Sequence, residues 1–125
     1  MKTVGLAEVL LYHQKIVERT GGTEGIRDIG LIEGALNSAF ATFDGEELYP
    51  SVEEKISIIT YTLISNHGFV DGNKRVGVAV MLLLLQINNI RLIYEQDKLV
   101  ELGLEIASGQ LKVNHIQKWI EKHRT

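Results

Sequence analysis

The stretch HGFVDGNKRVGVAVMLLLLQI, residues 67–87, decides how the rest of the chain is read. Its second half is a helix in waiting: Gly72 turns the chain, Asn73 is a residue type that caps helix starts, and an apolar run from Val76 to Leu85 follows. That run spans about 15 Å as a helix, well short of a bilayer core, so it predicts a buried core helix over Asn73–Ile87 around which the others pack. The two residues after Asn73 are cations, Lys74 and Arg75. A first helical turn carries partial positive charge from its free N–H groups, so acidic residues are preferred there. Two cations beside three or four unpaired donors suit a phosphate better than they suit an isolated helix.

Upstream, Ser51 and Glu54 form a capping box that opens a helix with the apolar stripe Val52, Ile56, Ile59 and Leu63. The next position on that line is His67, so the inward face of this helix is expected to point at the motif. Before it lies a polar connector, Thr42 to Pro50, with Asp44-Gly45 as turn residues and the only proline. Residues 3–19 read as a first helix, with Thr3 as cap and Leu6, Val9, Leu10, His13 and Val17 on one face. Its end is marked by Gly21-Gly22, and the segment from Thr20 to Arg27 reads as an irregular loop. Asp28 or Gly30 opens a second helix ending near Phe40.

Downstream, Asn88-Asn89 stops the buried helix and Ile90 to Tyr94 reads as a short extended piece. Asp97 starts a fifth helix through Leu99, Leu102 and Ile106, closed by Gly109, and Asn114 caps a sixth through Ile116, Trp119 and Ile120. No alternating pattern is long enough for a sheet, so the class is all-α, compact, with six or so helices.

At 125 residues the chain is expected to form a single domain over 1–125. Its 45% hydrophobic and 23% charged residues are ordinary globular composition. A net charge of −3 speaks against a general nucleic-acid binder, which needs a basic surface. The absence of cysteine excludes disulfides and cysteine-based zinc sites and fits a reducing cytoplasm. The N-terminus lacks the apolar core and cleavage site of a signal peptide, and no membrane span is expected.

The chemistry of residues 67–75 centres on phosphoryl groups. His67 brings an imidazole, the side chain most often used as a general base, Asp71 is a hard oxygen ligand for Mg²⁺, and Lys74 and Arg75 suit charge that develops on a transferring phosphoryl group. Asn73 either binds phosphate, caps its helix, or does both. Phe69 is expected to anchor the loop in the core. Of the other histidines, His13 reads as a core or surface residue, and His115 and His123 as solvated surface. Trp119, Phe40 and Phe43 read as packing residues.

The nine residues His67 to Arg75 closely resemble the Fic/Doc signature, H-x-F-x-[D/E]-[G/A]-N-x-R. Thr20-Gly-Gly, Gly25-Ile-Arg-Asp28 and Thr42-Phe-Asp-Gly45 resemble the death-on-curing (Doc) branch of that family. The resemblance implies a Fic/Doc fold and transfer from ATP to a protein hydroxyl. It implies His67 as base, Asp71 as Mg²⁺ ligand, and Gly72, Asn73, Lys74 and Arg75 as the phosphate clamp. Adenylylating members read G-N-G-R-x-x-R; here Lys74 replaces the second glycine of that string and Val78 its last arginine, while N-K-R matches the Doc variant.

Resemblance to Doc implies a Ser/Thr kinase toxin that transfers the terminal phosphoryl of ATP to elongation factor Tu and arrests translation. It also implies an antitoxin whose helical segment docks in a groove. An adenylyltransferase and a catalytically silent binding module are the competing functions. The connector from Thr42 to Pro50 occupies the place of a target-docking flap. Gly68, where many members carry proline, is expected to matter little. Thr20 to Gly25 formally satisfies the family's self-inhibition motif, [S/T]-x-x-x-E-[G/N], but that motif needs a helix, and Gly21-Gly22 costs about 2 kcal/mol against one.

Overall fold

The computed structural model describes residues 1–125. Six helices account for most of the chain: α1 Leu6–Thr20, α2 Ile29–Asn37, α3 Val52–Ser65, α4 Asn73–Ile87, α5 Gln96–Ala107 and α6 Val113–His123. A 3₁₀ turn, Ser38–Phe40, extends α2, and two short strands, β1 Thr42–Phe43 and β2 Glu46–Glu47, pair antiparallel. The fold is mostly α, as the periodicity predicts. No helix is long and apolar enough to cross a membrane.

Helix α3 starts where its capping box says it should. Ser51 Oγ accepts the Glu54 N–H at 3.1 Å and donates to the Glu54 carboxylate. Its stripe of Ile56, Ile59 and Leu63 is buried, and so are the hydroxyls of Ser57 and Thr60. Those hydroxyls donate back to the carbonyls of Glu53 and Ile56, which lets polar residues sit in the core without a lost hydrogen bond. Helix α4 is the buried element expected, with Val76, Val80, Met81 and Leu84 fully enclosed. It shares the centre with α3, which packs against α2, α4, α5 and α6, whereas α4 packs against α1, α3 and α5. A Cβ at Gly77 would overlap Ile64 of α3, so the glycine sets how closely the two central helices approach.

Several boundaries differ from expectation. Helix α1 begins at Leu6 behind Gly5, whose N–H is taken by Glu8, and not at Thr3. Asp28 caps α2 by accepting the N–H groups of Gly30 and Leu31. Helix α6 begins at Val113, and the His115 ring accepts the Lys112 N–H where Asn114 was expected to cap. The connector is a hairpin: Asp44 at φ 52° and Gly45 at φ 80° form its two-residue turn. Lys55, only 5% exposed, ties that hairpin to α3 by donating to the Glu47 carboxylate at 2.9 Å and to the Tyr49 carbonyl.

The extended piece after α4 pairs with the C-terminus, Leu92 against Arg124. Phe43 is 76% exposed and does not pack, while His123 is half-buried against the Trp119 ring.

Candidate active site

The loop between α3 and α4 holds the motif, and it is clamped from two sides. On its outer edge runs the segment expected to be irregular. Val70 donates to the Gly25 carbonyl at 3.1 Å, and the N–H groups of Arg27 and Asp28 both donate to the Gly68 carbonyl, at 2.8 and 2.9 Å. Ile26 and Phe69 form an antiparallel bridge. The Arg27 guanidinium donates to the carbonyls of His67 and Asn66, just past the end of α3, where a cation also complements the helix dipole. Gly68 is required here. A Cβ would lie 2.5 Å from Ile32 Cγ1, so the position is sterically closed, contrary to the expectation that it matters little.

On its inner edge Phe69 is 2% exposed and stacks on the ring of His13, centroids 3.7 Å apart and planes at 11°. The Nε2 of His13 bonds the Asp71 carbonyl at 2.6 Å, so that nitrogen carries the hydrogen. Phe69 anchors the loop as expected. Asn73 does not cap α4: its amide accepts the Phe69 N–H and donates to the Phe69 carbonyl, both at 3.0 Å. The helix start is made by Gly72, held left-handed at φ 80°, a conformation that a side chain would strain. The backbone N–H groups of Asn73, Lys74 and Arg75 thus stand in the first turn without helical acceptors.

Asp71 sits beside them. Its carboxylate accepts the Thr23 N–H at 3.1 Å and the Gly72 N–H at 2.8 Å. These two backbone donors, helped by the Arg75 guanidinium and by His13, hold its pKa below the ordinary carboxylate value. Arg75 lies 3.7 Å from Asp71 and donates to Thr20 Oγ and, at 2.8 Å, to the Gly21 carbonyl. A Cβ on Gly22 would reach 2.6 Å from the Asp71 carboxylate and 2.9 Å from Arg75, so glycine at 22 is needed for this approach. With both side chains partly exposed, the pair is screened by solvent and is readily exchanged for a ligand contact.

The fold therefore brings Phe69, Asp71, Gly72, Asn73 and Arg75 together. Lys74 leans elsewhere: its stem passes Gly103 of α5, and with Ile16, Val78, Leu82, Leu99 and Val100 it lines an open groove of about 410 Å³ between α1, α4 and α5. His67 does not continue the buried stripe of α3, because the helix ends at Ser65 and the residue turns left-handed at φ 51°. Its ring is exposed and free of hydrogen bonds, its main-chain carbonyl alone being engaged by Arg27.

Four residues of the site escaped the sequence reading: His13, Thr20, Thr23 and Arg27. The placement of His13 on an apolar helix face was the one available signal, and it pointed to burial without a partner. Glu24 lies outside any helix, so the formal self-inhibition pattern lacks the helix it needs.

An acidic residue, a left-handed glycine and an arginine surround the open start of α4, just past the exposed His67. Residues 3–85 match the Fic/DOC family, and the chain belongs to it. A protein of Mycolicibacterium smegmatis (strain ATCC 700084 / mc(2)155) named Toxin Doc is 33% identical over 98 residues, covering 77% of this chain and 75% of that protein. The phage P1 protein named Protein kinase doc (Escherichia phage P1) is 26% identical over 116 residues, covering 93% of this chain and 90% of its own. Both similarities fall in the Doc branch.

Proposed function

We propose that this protein is the toxin of a toxin–antitoxin pair and a Doc-type protein Ser/Thr kinase of the cytoplasm. The observation that carries the reading is the loop 69–75, where an ionised Asp71, three free backbone donors and Arg75 surround one open helix start. The two named relatives, a toxin and a protein kinase, support it.

The residues present fit Mg²⁺. Asp71 keeps acceptor capacity beyond its two N–H bonds, and no three His, Cys, Asp or Glu side chains converge on a metal site, so other ligands would come from phosphate and water. Bound there with ATP, Mg²⁺ would neutralise charge on the phosphates. The protein does the rest. The helix start of α4 and Arg75 hold the phosphate oxygens, and Lys74 adds positive charge from the adjoining groove. Asn73 contributes through its backbone N–H, since its side chain is committed to Phe69. His67, exposed and unpartnered, accepts the proton of a target Ser or Thr hydroxyl. That oxygen bonds the terminal phosphorus as the bond to the bridging oxygen breaks, and ADP leaves.

Phosphoryl rather than adenylyl transfer is favoured by Lys74 and Val78, which stand where adenylylating relatives have glycine and arginine. Val78 lines an apolar groove and offers a phosphate nothing. That same groove, apolar along Ile16, Leu82 and Leu99, suits a helical antitoxin segment. Elongation factor Tu is the proposed target, with the hairpin at 42–47 helping to position it, and translation arrest the consequence.

The test is incubation with ATP labelled at either the γ or the α phosphate, Mg²⁺ and a bacterial lysate. Label carried to a protein from the γ position alone is expected. Transfer from the α position would replace this reading with adenylylation, and transfer from neither would leave a silent binding module.

A further inference from the structure

His13 is 58 positions from Asp71 in the chain, buried to 4% exposure, and no step above uses it. It nonetheless makes two contacts to the loop that carries the chemistry. Its ring covers Phe69 face to face, and its Nε2–H donates to the Asp71 carbonyl at 2.6 Å. A Cβ on Gly72 would come within 3.3 Å of the same nitrogen, so glycine at that turn also gives the ring its room. Phe69 is held by its backbone through Asn73 and by its side chain through His13, and Asp71 is held by its carbonyl through His13 and by its carboxylate through Thr23 and Gly72.

We propose that His13 is a positioning residue of the active site, fixing the main chain of Phe69–Gly72 through its ring stack and its bond to Asp71, and so the direction of the Asp71 carboxylate. The inference rests on the kinase reading of this site for its catalytic consequence, but not for its structural one. Hydrophobic packing alone does not explain the residue. A leucine or phenylalanine would fill the space, whereas only a ring with an N–H donor both stacks on Phe69 and satisfies the Asp71 carbonyl.

Two substitutions separate those properties. His13→Phe keeps an aromatic face without the donor, and His13→Gln keeps an N–H donor without the ring. Expected for His13→Phe is a folded protein whose Phe69 and Gly72 amides exchange with solvent about tenfold faster. Its kcat for phosphoryl transfer falls about tenfold to a hundredfold, with the KM for the protein target unchanged. His13→Gln recovers a substantial part of both.

Exchange and kcat at parental levels in folded His13→Phe would overturn the proposal. So would losses in both variants that merely track the fraction unfolded. If His13→Phe fails to fold, His13→Gln decides: slow exchange with near-parental kcat supports the donor's role, and a loose loop overturns it. A parent protein that transfers no phosphoryl group refutes the kinase reading alone, and amide exchange in the ligand-free variants still decides the role of His13.

Discussion

At the residue scale the site works through backbone conformations as much as side chains. Within the motif loop, Gly68 and Gly72 both refuse a side chain, one by the wall of Ile32 and the other by a left-handed turn against His13. Gly68→Ala is expected to destabilise the fold by about 1–3 kcal/mol through overpacking, measured as a lower denaturant midpoint at unchanged slope. Asp71 gives a pH prediction. Its folded-state pKa is depressed, chiefly by the Thr23 and Gly72 N–H groups. Its contribution to stability is therefore complete above the unfolded-state pKa and is lost as pH falls through the lower folded-state value. Carboxyl carbon shifts followed by NMR should show Asp71 titrating below the ordinary aspartate value; an ordinary midpoint would mean that the two donors are absent in solution. The motif's identity was legible because residue type and spacing are local. The roles of His13 and Arg27 were not, because their partners lie 58 and about 40 positions away in the chain.

At the element scale, α3 and α4 were legible to the residue at their starts, since the Ser51–Glu54 box and the glycine before an apolar run are self-contained signals. Helices α1 and α6 were misplaced at their starts for the opposite reason: Gly5 and Lys112 carry no capping side chain, and Glu8 and His115 reach back from inside the helix to serve them. The hairpin at 42–47 escaped because two-residue strands leave no alternation to read, although Asp44-Gly45 is a strong turn signal. Lys55 is the fastening of that hairpin to α3. Lys55→Ala removes its bonds to Glu47 and Tyr49 and should cost about 1.5–3 kcal/mol, with faster exchange of the Leu48 amide that bonds Ala41. If the hairpin serves the protein target, that variant also raises the KM for the target and leaves nucleotide binding unchanged.

At the scale of the whole molecule, two stretches far apart in sequence meet at one loop: α1 with the glycine pair and segment 25–28 that follow it, and the turn that starts α4. The class of fold follows from patterning, since each helix hides one face and most of the 22 buried residues of the core fall on those faces, with Val4, Phe69 and Ile90 added from the connecting segments. What patterning does not carry is the extended segment 25–28 running along residues 66–70, a pairing made of main-chain bonds and the Arg27 guanidinium to distant partners. Lys74 and Arg75 line the groove and also belong to the proposed phosphate-binding turn, so an occupant of the groove bearing carboxylates should weaken nucleotide binding. Competition between an acidic helical peptide and nucleotide, followed by calorimetry, checks that expectation. The most direct measurement of the central claim is an amide NMR titration with a non-hydrolysable ATP analogue, with and without Mg²⁺. The account predicts that the amides of Gly72, Asn73, Lys74 and Arg75 shift together, and shift further with Mg²⁺ in the parent but not in Asp71→Asn. Shifts confined to other parts of the chain, with those four amides unmoved, would contradict it.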